Sequence, residues 1–149
     1  MTVYLGADHR GFALKGRLAE FLKDQGHEVV DCGAAVYDAA DDYPDFAAEV
    51  ARQVSRDPAG RRGVVICGSG GGVGIVANKL SGVRAVLGLS GEQVSAIRRD
   101  EDANVLALAS DFTSPEDAEK MLHLFLSTPF SGEERHKRRL AKISAIEER

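Results

Sequence analysis

The sequence predicts an α/β fold: an open, doubly wound sheet of five parallel strands with helices on both faces. Three observations predict it. Short apolar runs alternate with longer segments of helical period along the chain. The connections are short, which favours parallel strands covered on both faces. Five such β/α units fit within about 110 residues, too few for an eight-stranded barrel.

Val3 to Ala7 reads as the first strand. Phe12, Gly16, Leu18, Phe21 and Leu22 then fall on one face of a helix. Glu28 to Asp31 reads as the second strand and Tyr43 to Ser55 as the next helix. Arg56 to Arg61, with its Asp-Pro pair and glycine, is the exposed loop before a third strand from Val64 to Cys67. A helix from Gly74 to Leu80, a strand from Ala85 to Leu89 and a helix from Glu92 to Arg98 follow. The fifth strand is Val105 to Ala109. Ser114-Pro115-Glu116-Asp117 is a helix start: a capping hydroxyl, proline at the first helical position, then acids facing the dipole. That helix runs from Glu116 to Leu126, and the tail from Gly132 to Arg149 predicts a last, highly charged helix. With no repeat or linker, residues 1–149 read as one domain.

Composition narrows the function. Hydrophobic residues make up 44% and charged residues 28%, the balance of a soluble domain able to build its own core. A net charge of −4 gives nucleic-acid binding no general electrostatic help. No apolar run approaches the ~20 residues of a membrane span, and the N-terminus has no secretory pattern. The only cysteines, Cys32 and Cys67, form neither a C-x-x-C pair nor a metal framework, so a reducing cytoplasm is expected.

In open α/β sheets ligands bind outside the carboxyl ends of the strands. Asp8-His9-Arg10 and Cys67 to Gly74 belong there; Asp100-Glu101-Asp102 belongs there only if its loop reaches the same edge. After Cys67, five of seven residues are glycine. A dinucleotide fingerprint starting at Gly68 or Gly70 needs glycine where Val73 or Ile75 stands, and a Walker A loop needs Gly-Lys-Ser/Thr where Asn78-Lys79 stands. A cysteine phosphatase loop needs an arginine at Val73. What remains is a glycine turn at a helix start, whose N–H groups suit an anion. Donors at such a place favour a thiolate, so Cys67 is a candidate nucleophile or base; a small buried hydrophobe ending a strand is the alternative. Cys32 lacks such a turn and reads as packing. Asp8-His9 suits a polyol and an anion, or a turn and a cap. Arg135 and Arg139, four apart, suit a phosphate clamp or a solvated face paired with Glu133 and Glu134.

Taken together, GADHRGFALK, DYPDFA, ICGSGGGVGIVANK, VRAV, NVLAL and ERHKRR resemble the type B ribose-5-phosphate isomerases, whose family includes galactose-6-phosphate isomerases. The resemblance covers nearly the whole chain. It implies a Rossmann-like α/β/α sandwich with a C-terminal helix and a homodimer, with a dimer of dimers left open, whose sites lie between subunits. It implies a phosphorylated sugar as substrate, with no cofactor, metal, nucleic acid or membrane. Aldose and ketose interconvert through an enediolate. Cys67 matches the thiol base of this reaction and Ser69 the hydroxyl that assists it. Gly70, Gly71, Gly72 and Gly74 match the enediolate cradle, with Gly68 in the same loop. Relatives without the cysteine use a glutamate at the slot of Val73. Asp8 matches the carboxylate that holds substrate hydroxyls, and His9, Arg135 and Arg139 match the phosphate grip, with His136 between them. Tyr43 matches a residue lining the site, and Asn78 and Lys79 match the helix of the glycine loop, which they are expected to support.

Where the family carries His-Asn-Asp, this chain has Asp100-Glu101-Asp102. That histidine opens the sugar ring, a task suited to a group titrating near neutrality. Either Asp100 or another group opens the ring, with Glu101 beside Asp100 in the site, or the substrate needs no opening. A tetrose 4-phosphate is such a substrate. Ribose 5-phosphate to ribulose 5-phosphate is the first expectation, a tetrose 4-phosphate or hexose 6-phosphate the second. A phosphosugar-binding module without catalysis is the third.

Overall fold

The computed structural model describes residues 1–147. Five strands, β1 (Thr2–Ala7), β2 (Glu28–Asp31), β3 (Arg62–Cys67), β4 (Ala85–Leu87) and β5 (Val105–Ala109), form one parallel sheet in the order β2-β1-β3-β5-β4. Six helices join and cover them: α1 (Phe12–Asp24), α2 (Tyr43–Ser55), α3 (Gly71–Ala77), α4 (Gly91–Glu101), α5 (Pro115–Ser127) and α6 (Glu134–Glu147). This is the expected Rossmann-like α/β/α sandwich with a C-terminal helix. Among the described residues no helix is long and apolar enough to cross a membrane.

The apolar runs of β1, β3 and β5 take the middle of the sheet, and the side chains of Val3, Leu5, Val64, Val65, Ile66, Leu106 and Leu108 are fully buried. Leu14, Leu18 and Leu22 of α1, Val94 of α4 and Ala118, Met121, Leu122 and Phe125 of α5 pack on one face. Ala47, Val50, Ala51 and Val54 of α2 and Val73 and Ala77 of α3 pack on the other. The chain runs outward from β1 to β2 and then crosses back to β3. The sheet therefore reverses direction between β1 and β3, and in such folds the ligand crevice opens at that point.

Among the boundaries that differ from the pattern-based expectation, three have a visible reason. Helix α3 begins at Gly71, because Gly70 takes a left-handed turn with φ 73° straight after the strand. Strand β4 stops at Leu87, because the Gln93 side chain donates to Leu87 O (2.9 Å) and accepts from Leu89 N (3.0 Å), replacing a ladder partner. Helix α4 continues to Glu101 and ends on Asp102, itself left-handed with φ 47°. Asp100 to Asp102 therefore lie before β5, at the sheet edge opposite Cys67. The condition set for this triplet, that its loop reach the strands' carboxyl ends, is not met within one chain. The five residues of β5 separate the two edges by roughly 16 Å.

Candidate active site

The cleft forms where β1, β3 and β5 end. Asp8 is the first residue beyond β1. Its Oδ1 accepts the N–H groups of Arg10 (3.0 Å) and Gly11 (3.1 Å), a turn that fixes the buried carboxylate and leaves Oδ2 to face a ligand. His9 is held twice by Asp41: its backbone N–H donates to Oδ1 (2.9 Å), and its Nδ1 lies 2.8 Å from the same oxygen. A carboxylate there accepts the Nδ1 proton and leaves Nε2 for a ligand, as an acceptor in the neutral ring and as a donor to an anion in the protonated one. The Tyr37 ring stands edge-on to the imidazole.

Cys67 closes β3 and is only 5% exposed. Its carbonyl accepts both the backbone N–H (2.9 Å) and the hydroxyl (3.1 Å) of Ser110. Asp111 N–H donates to Gly68 O (3.0 Å), so the loops after β3 and β5 are laced together. Ser69 Oγ accepts from Gly71 N (3.4 Å). The N–H groups of Gly72 and Val73 have no partner within α3, and Gly72 lines the cleft with Cys67; Gly74, expected in the cradle, instead donates its N–H to Gly70 O (3.3 Å). Tyr43, at the start of α2, lies against Gly72; a Cβ there would meet the tyrosine ring at 2.5 Å. Asp8, Tyr43, Cys67, Gly68, Ser69 and Gly72 line one cleft of about 380 Å³, room for a small polar metabolite.

Arg10, Asp111 and Phe112 line the same cleft, and no sequence motif assigns any of them a role there. Arg10 and Asp111 form an ion pair. Asp41 was missed as well. The rule that residues just past the strand ends face the ligand points to Arg10, Asp111 and Phe112; Asp41 lies mid-loop and carries no such signal.

The remaining expected site residues lie elsewhere in the subunit. Asn78 caps α3 and spends its side chain on β4, donating to Ala85 O (2.9 Å) and accepting from Ala85 N (2.8 Å). Arg135 and Arg139 are exposed on α6, and Arg135 Nε is paired with Glu133 (2.8 Å). His136 is buried, its Nδ1 2.7 Å from Ser131 Oγ and its Nε2 3.8 Å from Asp100 Oδ1. The three acids of the triplet have separate surroundings. Asp100 meets His136. Glu101 lines an apolar groove with Ile143 and Ile146. Asp102 is bound by Arg84 (3.1 Å) and Arg98 (2.8 Å), which makes it a structural cap. The other cysteine, Cys32, packs partly buried beside α2, and burial with the nearby Glu49 and Asp31 pushes its thiol up to about 11.

Comparison with known proteins agrees with this architecture. The model of the family described as Ribose/Galactose Isomerase matches residues 3–143. Ribose-5-phosphate isomerase B of Mycobacterium tuberculosis is 41% identical over 147 residues, covering 99% of this chain and 90% of that protein. The crystal structure of ribose-5-phosphate isomerase B from Mycoplasma genitalium with bound ribulose 5-phosphate superposes with a TM-score of 0.96 at 40% identity. That match covers 99% of this chain and 96% of that one. The type B ribose 5-phosphate isomerase of Trypanosoma cruzi gives a TM-score of 0.93 at 41% identity, with 99% and 96% covered.

Proposed function

The chain belongs to the ribose/galactose isomerase family, and on that premise we propose that it interconverts ribose 5-phosphate and ribulose 5-phosphate without a cofactor, with Cys67 as the base. The observation that carries the reading is a thiol at the end of the central strand, in one cleft with Asp8, Ser69 and the glycine turn. With the open-chain aldose bound, the Cys67 thiolate takes the proton from C2. The electrons of that bond move to the C1 carbonyl oxygen, forming the enediolate. The N–H groups of the glycine turn receive the charge, donors worth a few kcal/mol each in comparable oxyanion sites. The hydroxyl proton on O2 passes to O1, assisted by Ser69. The Cys67 thiol, whose proton exchanges with solvent at the open cleft, protonates C1, and the ketose carbonyl forms at C2. Asp8 holds substrate hydroxyls through Oδ2.

The ring-opening group and the α6 arginines reach this cleft from a second subunit. Two observations support a homodimer with shared sites. Asp100 lies an entire strand length from Cys67 of its own chain, and Arg135 and Arg139 stand on α6, whose His136 meets Asp100. Helix α6 buries only His136, leaving Ile143 and Ile146 exposed, while Ile75, Leu87 and Leu89 are exposed around α3 and β4. A face of this kind asks for a partner. In the dimer His9 and the partner's α6 hold the phosphate.

A second reading changes only the substrate. Asp100 is half exposed and stands where the family's ring-opening histidine does, which favours a tetrose 4-phosphate that needs no opening. Turnover of a panel of four-, five- and six-carbon aldose phosphates tests both. Preference for ribose 5-phosphate supports the first reading, preference for a tetrose phosphate the second, and no turnover of any member refutes the isomerase assignment.

A further inference from the structure

The cleft contains an ion pair to which the mechanism gives no task. Arg10, from the loop after β1, and Asp111, from the loop after β5, meet across Gly68. A Cβ on Gly68 would lie 2.7 Å from Arg10 Nε and 2.9 Å from Asp111 Oδ2. The bare backbone next to Cys67 is therefore what lets the guanidinium lie flat in the cleft. The ground beneath it is firm. Ser110 Oγ has Arg10 O (2.9 Å) and Cys67 O (3.1 Å) in reach of its single proton, which ties all three loops. The arginine side chain itself stays 57% exposed.

Its place relative to the chemistry follows from the layers. Helices α2 and α3 cover one face of the sheet, so Tyr43 and Gly72 line the cleft from that side. Helices α1 and α5 cover the other, so Arg10, Asp111 and Phe112 line it from the opposite side. Cys67 ends the middle strand between them. A substrate whose reacting carbons are cradled by the glycine turn extends its far end toward Arg10. Among the residues lining the cleft, Arg10 is the one cation. A guanidinium carries five N–H donors in a planar fork, and only Nη2 is engaged by Asp111. The other donors match phosphate oxygens.

We infer that Arg10 contacts the phosphate group of the substrate, placing one phosphate ligand on the same subunit as Cys67. This inference rests on the phosphosugar reading and adds to the grip assigned to His9 and the partner's helix. It also gives Gly68 a reason to lack a side chain.

The test is Arg10→Ala, with Arg10→Lys as the charge-retaining variant, assayed on ribose 5-phosphate with inorganic phosphate and unphosphorylated ribose as competitors. In Arg10→Ala the KM for ribose 5-phosphate rises about tenfold or more with kcat little changed, the loss expected for one charge-assisted contact. Inhibition by inorganic phosphate weakens by the same factor, inhibition by ribose does not change, and Arg10→Lys falls between. An unchanged KM and unchanged phosphate inhibition overturn the inference. So does an equal weakening toward ribose and phosphate, which marks a mere loop tie. If the wild type leaves ribose 5-phosphate untouched, the ribose 5-phosphate reading fails by itself. Calorimetric titration of inorganic phosphate into wild type and Arg10→Ala then still decides the role of Arg10: tighter binding to the wild type supports it, equal binding overturns it.

Discussion

Gly70→Ala strikes the turn on which the site is built. Gly70 has φ 73°, and a Cβ there would lie 2.5 Å from Leu87 Cδ1 and 3.1 Å from both Ala109 N and Leu108 C. The left-handed conformation costs an alanine about 1–2 kcal/mol. Forcing a methyl group against fixed backbone adds about 1–3 kcal/mol. Leu87 is 38% exposed and rotates aside, but the β5 backbone has nowhere to go, so the expected loss is about 2–4 kcal/mol. Urea unfolding measures it: with a slope of about 2 kcal/mol/M, the midpoint falls by about 1–2 M. Leu87→Ala in the same background relieves only the 2.5 Å contact, so the conformational cost of about 1–2 kcal/mol remains. The isomerase activity falls with the turn. A loss below about 0.5 kcal/mol, or full recovery in the double variant, refutes this reasoning.

Mixing Cys67→Ala and Arg139→Ala subunits tests the shared site. Each homodimer is impaired, and random exchange returns about a quarter of wild-type activity, because half the dimers carry one intact site; no recovery contradicts site sharing. Asn104 is fully buried, its Oδ1 accepting from Arg84 N (2.8 Å) and its Nδ2 donating to Gly82 O (2.8 Å) and Pro58 O (3.3 Å). Asn104→Leu strands these groups and lowers stability by about 2–4 kcal/mol in urea melts; a neutral result contradicts the bonding described. The Cys32 thiol ionises at higher pH in the folded chain than in the unfolded one. Its protonated form thus contributes stability that is complete below the ordinary thiol value of 9.0 and declines as pH rises through about 11. Wild type should lose stability faster than Cys32→Ser across that window; parallel curves contradict the shift.

The sheet was legible because β1, β3 and β5 are continuous apolar runs, and only a strand buried on both faces needs that pattern. Cys67, Asp8 and Ser69 were legible by the same logic, since they stand just past strand ends. Helix α3 was misplaced because glycine carries no helical signal; its start depends on one left-handed residue. Which edge the acidic triplet takes is not legible in the sequence, because charge hides the length of α4. Arg98 looks like a surface residue, yet its guanidinium binds Asp102 and packs 5.8 Å from the Phe125 ring. The Arg10–Asp111 pair joins residues far apart in sequence, and no local pattern announces a contact made only when two loops meet.

The central claim is proton abstraction from a phosphosugar carbon by Cys67. The most direct measurement follows ribose 5-phosphate in deuterated water by NMR with wild type and Cys67→Ser. The account predicts ribulose 5-phosphate carrying solvent deuterium at C1 with the wild type. With Cys67→Ser it predicts rates lower by orders of magnitude, while the substrate still binds. Wild-type turnover rates in Cys67→Ser would contradict it.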